Sequence, residues 1–330
     1  MHSTRGAPAL PARVEATLPT VPRIVFVLGK GGSGRSSVAA ALGQGFAARG
    51  EETLIVQWSK TDSISPWFGE APAGHTAQRL ADRLSTMSFS LDETLREYFV
   101  DHLGLHFLHD TVVASSPVRT LVHAAPGITE LLFCGRLFWL SALARTETGK
   151  EYARIVVDAP ATGHGRTLFA LPSTLEAMGP AGLLAVEAKR VAGMLRDPAW
   201  TGALVVTLAE ELGIEEALEQ IPRLRQDLGR QPLGFVVNRS AAAFEWPEAP
   251  VWLSALEHDQ PAAAPTLHAL HAELRARRLR EALFRSEVDG SSALGVASLE
   301  ERLLYPGSGA PREVVDAQVA PLQSFLRGAP

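Results

Sequence analysis

Between Arg23 and Ser37 the chain reads Arg-Ile-Val-Phe-Val-Leu-Gly-Lys-Gly-Gly-Ser-Gly-Arg-Ser-Ser. A β-branched and aromatic run, Ile24 to Leu28, breaks off at Gly29, glycines recur at 31, 32 and 34, and an alanine-rich segment follows. The pattern predicts a strand, an anion-binding loop and a helix. Glycines open backbone angles closed to other residues, so the N–H groups from Gly29 through Gly31, Gly32, Ser33 and Gly34 to Arg35, Ser36 and Ser37 can converge on a phosphate. The helix start adds the positive end of its dipole. A triphosphate is the natural ligand.

Against the phosphate-loop pattern G-x-x-x-x-G-K-[ST], Gly29, Gly34 and Ser36 fit, with Ser36 as the hydroxyl for Mg²⁺, and Arg35 occupies the lysine position. Arginine keeps the charge, but its planar fork is wider than a compact ammonium, so nucleotide binding should survive the change better than turnover. An acid is supplied by Arg154-Ile-Val-Val-Asp158, an apolar strand whose carboxyl end carries Asp158 opposite the loop, suited to the Mg²⁺ shell, directly or through water. Pro232 to Arg239 reads as a further strand, with Asn238 near its end. An amide there can offer donor and acceptor to an adenine edge, or can simply form a turn.

The run Lys30-Gly-Gly-Ser-Gly-Arg-Ser-Ser37 resembles the deviant Walker A loop of the ParA, MinD, nitrogenase iron protein and ArsA class of ATPases. That resemblance implies a dimer in which Lys30 reaches the partner's nucleotide. Asp158-Ala-Pro160-Ala-Thr162-Gly163-His164, followed by Leu171-Pro172, resembles switch II of ArsA-type anion-transporting ATPases and their tail-anchored-protein-targeting relatives. The resemblance implies that Pro160, Thr162, Gly163 and His164 form a conformational element sensing γ-phosphate, that Asn238 contacts the purine, and that Pro126-Gly-Ile-Thr-Glu130 lies near the dimer and switch region. It covers about residues 23–240. Where the family's switch I places a water-orienting aspartate this chain has Ser59, followed by Lys60 in place of proline. Asp62 is the only nearby carboxylate, and loss of the group is the simpler reading than its replacement by Asp62.

These departures define the expected member: an ArsA-like, ATP- and ADP-binding, Mg²⁺-dependent switch with weak or lost hydrolysis. It would work as a homodimer, or as a heterodimer with a second ArsA-like ATPase. An active ATPase coupled to cargo or to a membrane-associated partner is the alternative. The single cysteine, Cys134, supplies no thiolate set for arsenite and no zinc-binding pair. Ala177 to Pro198 carries only Met178 and Met194, which is not a methionine-rich cargo insertion. His102, His106 and His109 share helical spacing without further ligand types around them and read as packing or surface residues.

Positioning these groups requires an α/β fold, a mainly parallel sheet with helices on both faces. In 330 residues, 46% of them hydrophobic, one such domain can bury its core. The reading is a loose, proline-bearing tail over 1–22 and one domain over 23–330. The segment from about 76 to 147 is expected to be a helical insertion, and the part after 241 diverges from the family. Residues 53–58 and 204–208 read as further strands and 210–228 as a helix whose Glu215, Glu216 and Glu219 face solvent. Leu267 to Phe284 is a basic helix, extended by Arg285, that is solvated or partner-facing. A last strand and helix fall near 293–298 and 312–326. A net charge of −5 with both signs scattered gives no basic stripe for nucleic acid. The longest apolar stretch, Ile128 to Ala144, is interrupted by Glu130, Gly135 and Arg136 and is a poor membrane span. No secretory leader is evident, and the expected compartment is the cytoplasm.

Overall fold

The computed structural model describes residues 21–59, 61–97, 127–142, 144, 146, 149–160, 167–174, 183–241, 249–291, 295–300 and 311–326. The strands are β1 (Ile24–Gly29), β2 (Thr53–Gln57), β3 (Gln78–Ala81), β4 (Leu84–Ser88), β5 (Arg154–Asp158), β6 (Thr201–Leu208), β7 (Gly234–Ser240) and β8 (Gly295–Glu300). They form one sheet in the order β3-β4-β2-β5-β1-β6-β7-β8. Only the β3–β4 pair is antiparallel. Around it lie α1 (Arg35–Ala48), α2 (Leu91–Glu97), α3 (Ile128–Ala142), α4 (167–174), α5 (Leu183–Arg196), α6 (Glu211–Leu228), α7 (Ala249–Asp259), α8 (Ala264–Ser291), α9 (Pro311–Val319) and α10 (Gln323–Leu326).

β1 is central because it is apolar on both faces, as a parallel strand covered by helices must be. Ile24, Phe26 and Leu28 point into one helix-covered layer with Phe133, Phe169, Leu224 and Phe235. Val25 and Val27 point into the other with Leu42, Phe46, Leu322 and Leu326. Phe26 is fully buried and meets Phe169 edge to face at 5.0 Å between centroids. Burying a side chain of that size contributes about 1.5–3 kcal/mol.

The expected helical run from residue 76 begins instead with the β3–β4 hairpin. Leu84-Ser-Thr-Met-Ser88 lacks a β-branched hydrophobic run, yet all five residues are buried and pair in parallel with β2. Thr86, at its centre, is satisfied from the neighbouring strand: Gln57 Nε2, at the end of β2, donates to Thr86 Oγ1 at 3.1 Å. α2 and α3 are helical as expected, and Glu97 joins them by meeting Arg136 at 2.6 Å and His75 at 3.4 Å. The rest of the insertion, with His102, His106 and His109, lies outside the described residues. β8, α9 and α10 complete the fold, and Glu281 of α8 is buried where it accepts from Ser240 Oγ of β7 at 2.6 Å and from Ser298 Oγ of β8.

Candidate nucleotide site

β1 ends at Gly29, where a methyl group would collide with the Val206 carbonyl of neighbouring β6. The loop turns through a Ser33 N–H bond to Lys30 O at 3.2 Å. It then enters α1 at Gly34, whose φ of 87° lies in the left-handed region that suits glycine. Ser37 Oγ closes the first turn on Gly34 O at 2.8 Å. Ser33 Oγ is buried and, among the described residues, has no hydrogen-bond partner.

Parallel pairing of β1 with β5 sets Val27 opposite Asp158 and so brings the acid under the loop. Ser36 Oγ donates to Asp158 Oδ2 at 2.6 Å. Burial pushes the Asp158 carboxyl above its ordinary value, and the Ser36 hydroxyl and the Arg35 charge act against that rise. A buried carboxylate joined to a hydroxyl is the donor set a hard divalent cation takes, and both groups gain from its charge. Arg35 Nη1 donates to the Ala159 carbonyl at the end of β5, so the guanidinium is folded against the floor of the site. Burial pulls its pKa down while Asp158 holds it up.

Lys30 Nζ meets Glu216 Oε1 of α6 at 2.8 Å, with both side chains substantially exposed. Glu216, expected to face solvent only, is therefore the partner that sequence reasoning missed. No local pattern could have found it, because 186 residues separate the two. Between loop and helix runs a cleft of about 200 Å³ lined by Lys30, Gly32, Ser33, Thr207, Gly213 and Glu216.

Ser59 follows β2 and accepts from Thr61 N–H at 3.3 Å. Just before it, Trp58 packs on Phe133 and Phe89, at 4.4 and 5.4 Å between centroids, and fixes the start of this segment. Asp62 is not poised as a base. Its Oδ1 accepts from Gln57 Nε2 at 2.5 Å, Ile64 N–H at 2.7 Å and Ser65 N–H at 3.0 Å. Its Oδ2 accepts from Ser65 Oγ and from Ala73 N–H at 2.7 Å. Burial alone would raise its pKa, but the hydrogen bonds from Ser65, Gln57 and the Ala73 amide outweigh it and hold the carboxyl below its usual value.

Asn238 lies on β7 and forms the last pair of the β6–β7 register, opposite Leu208. Its Nδ2 donates to Ser33 O at 2.9 Å. Pro160 is half-buried beside Ala159, while Lys60 and the Thr162-Gly163-His164 part of the switch II string lie outside the described residues. Cys134 is fully buried, and burial foremost, with Glu130 adding to it, pushes its thiol far above the ordinary value. Among the described residues no group of three His, Cys, Asp or Glu side chains could hold a metal ion. No helix among them is long and apolar enough to cross a membrane.

A strand-loop-helix cradle facing a strand-end aspartate in a mostly parallel sheet defines a P-loop nucleotide-binding protein. Residues 22–180 match the family of anion-transporting ATPases. ATPase BagA of Mycobacterium tuberculosis is 27% identical over 234 residues, covering 68% of this chain and 67% of that protein. A putative arsenical pump-driving ATPase of Aquifex aeolicus is 27% identical over 150 residues, covering 43% and 46%. ATPase GET3C of Arabidopsis thaliana is 28% identical over 158 residues, covering 44% and 40%. The match places residues 22–180 in the ArsA-type anion-transporting ATPase family.

Proposed function

We propose that this chain is a cytoplasmic MgATP- and MgADP-binding switch that works as a dimer, hydrolyses ATP weakly or not at all, and pairs with or regulates a second ArsA-like ATPase. Binding is supported by the loop amides from Gly29 to Ser37, the unpartnered Ser33 hydroxyl and the Ser36–Asp158 pair. Ser36 would hold the cation directly and Asp158 through water. A bound divalent cation would neutralise the phosphate oxygens.

What the chain's own residues do then follows. Ser36 gives up its bond to Asp158 to present its oxygen outward. Arg35 must leave Ala159 O to touch phosphate, and its fork cannot occupy the narrow space of an ammonium group. Lys30 must leave Glu216 before it can reach a partner subunit. No carboxylate stands at 59 to orient water, and Asp62 is committed to five donors.

The observation that carries weak hydrolysis is the saturation of Asp62, because it removes the nearest substitute for the acid missing at Ser59. The intact Ser36–Asp158 pair favours the second reading, an active ATPase serving cargo or a membrane partner. Calorimetric titration with MgATP and MgADP, beside phosphate release from the same sample, decides between them. Binding with negligible turnover supports the switch, and turnover well above an Asp158→Ala control supports the active enzyme. Binding of neither nucleotide sinks both.

A further inference from the structure

We infer that Asn238 is a positioning residue for the phosphate loop, acting on triphosphate affinity through Ser33 and Gly34. The inference rests on the nucleotide-binding reading above. Asn238 is 6% exposed, and both of its polar atoms are turned to main chain. Nδ2 donates to Ser33 O at 2.9 Å, and Oδ1 accepts from Arg239 N–H at 3.0 Å. Arg239 itself holds a φ of 51°, in the left-handed region, so the chain turns directly after Asn238.

The third contact is steric. A methyl group on Gly34 would collide with Asn238 Nδ2, so the amide lies flush under the residue where the loop enters α1. Ser33 and Gly34 are thus held from below by one side chain, Ser33 by a hydrogen bond and Gly34 by contact. A loop whose N–H groups must converge on phosphate oxygens loses affinity when its floor is free to move. That loss falls on the phosphates common to every ligand, not on the base.

The test uses the full chain with two Mg²⁺-loaded probes, ATP and inorganic tripolyphosphate, which has no base, titrated calorimetrically into wild type, Asn238→Ala and Asn238→Asp. The expected result is that Asn238→Ala weakens both probes, the base-free tripolyphosphate by about tenfold, the value of one hydrogen bond and its packing. Asn238→Asp keeps the shape but sets a carboxylate against the Ser33 carbonyl, so it weakens both at least as much. Its deficit relative to wild type should narrow as the pH is lowered from about 7 to about 5, because protonation restores an O–H donor to Ser33 O. A thermal melt accompanies each variant, and a misfolded fraction is told apart from a weakened site because it lowers the fitted stoichiometry and leaves Kd unchanged.

A loss confined to MgATP, with tripolyphosphate unchanged, would overturn the inference and make Asn238 a base reader. Unchanged affinity for both would overturn it as well. If the unmodified chain binds neither probe, the nucleotide reading fails and this inference falls with it, whereas tripolyphosphate binding by wild type keeps the two questions separate.

Discussion

Ser36 Oγ and Asp158 Oδ2 stand 2.6 Å apart although 122 residues separate them. Two elements make the meeting: the first turn of α1, which carries Ser36, and the β1–β5 register, which sets Asp158 beside Val27. The hydrogen bond satisfies a carboxylate that burial disfavours.

Because the folded chain raises the Asp158 pKa, the native state holds this proton more tightly than the unfolded chain does. This group's contribution is therefore most favourable below the unfolded value of about 4 and is lost as pH rises through the raised folded value. Asp158→Asn should raise the melting temperature of the nucleotide-free chain near neutral pH by about 2 °C, corresponding to about 1 kcal/mol. The same variant should lose Mg²⁺-dependent nucleotide binding. Calorimetry and a melt on one preparation check both, and a lower melting temperature would contradict the burial argument.

Asp62 has the opposite sign. Its lowered pKa means that its stabilisation is complete above the unfolded carboxylate value of about 4 and disappears as pH falls through the folded value. Asp62→Ala strands buried donors from Gln57, Ile64, Ser65 and Ala73, at a cost of about 3 kcal/mol. Urea unfolding at neutral pH measures it. A loss under about 1 kcal/mol would mean that water replaces the carboxylate.

Arg35→Lys combined with Ser59→Asp should raise phosphate release in single-turnover assays by about a hundredfold or more over the unmodified chain. Each change alone should give less than half of that gain in free energy, because charge stabilisation and water orientation act together on one step. No response from the double variant would indicate that hydrolysis is limited elsewhere.

Glu216→Gln frees Lys30. Exposed pairs of this kind contribute about 0–1 kcal/mol, so stability should stay within about 0.5 kcal/mol of wild type. The MgATP-dependent dimer fraction, followed by sedimentation velocity, should increase, and Lys30→Ala should abolish it. An unchanged dimer fraction in Glu216→Gln would show that the pair does not restrain Lys30.

The loop, its strand and the facing aspartate were legible because each is written locally: β-branched residues ended by glycines, and an apolar run ended by an acid. β4 was not, since Ser85, Thr86 and Ser88 become strand residues only through pairing with β2, whose Gln57 amide meets Thr86. Asp62 carries a local sign that went unread, because an aspartate two and three residues ahead of the N–H groups it accepts, on Ile64 and Ser65, is an Asx turn. Its bond to Ala73 and the Lys30–Glu216 pair depend on chain returns that no window of sequence displays. Asn238 was correctly placed near the end of its strand, but the direction of its amide depends on the height of the loop above it.

The tie between Asn238 and Ser33 also has a consequence for biosynthesis. The floor of the loop is made 205 residues after the loop itself, an interval of about 10–40 s at ordinary elongation rates. β1, with neither β5 nor β6 yet made, is an unpaired apolar strand for much of that time. The nascent chain thus carries its nucleotide-binding segment for tens of seconds before it can grip a nucleotide, and ligand can stabilise the fold only once β7 has been made.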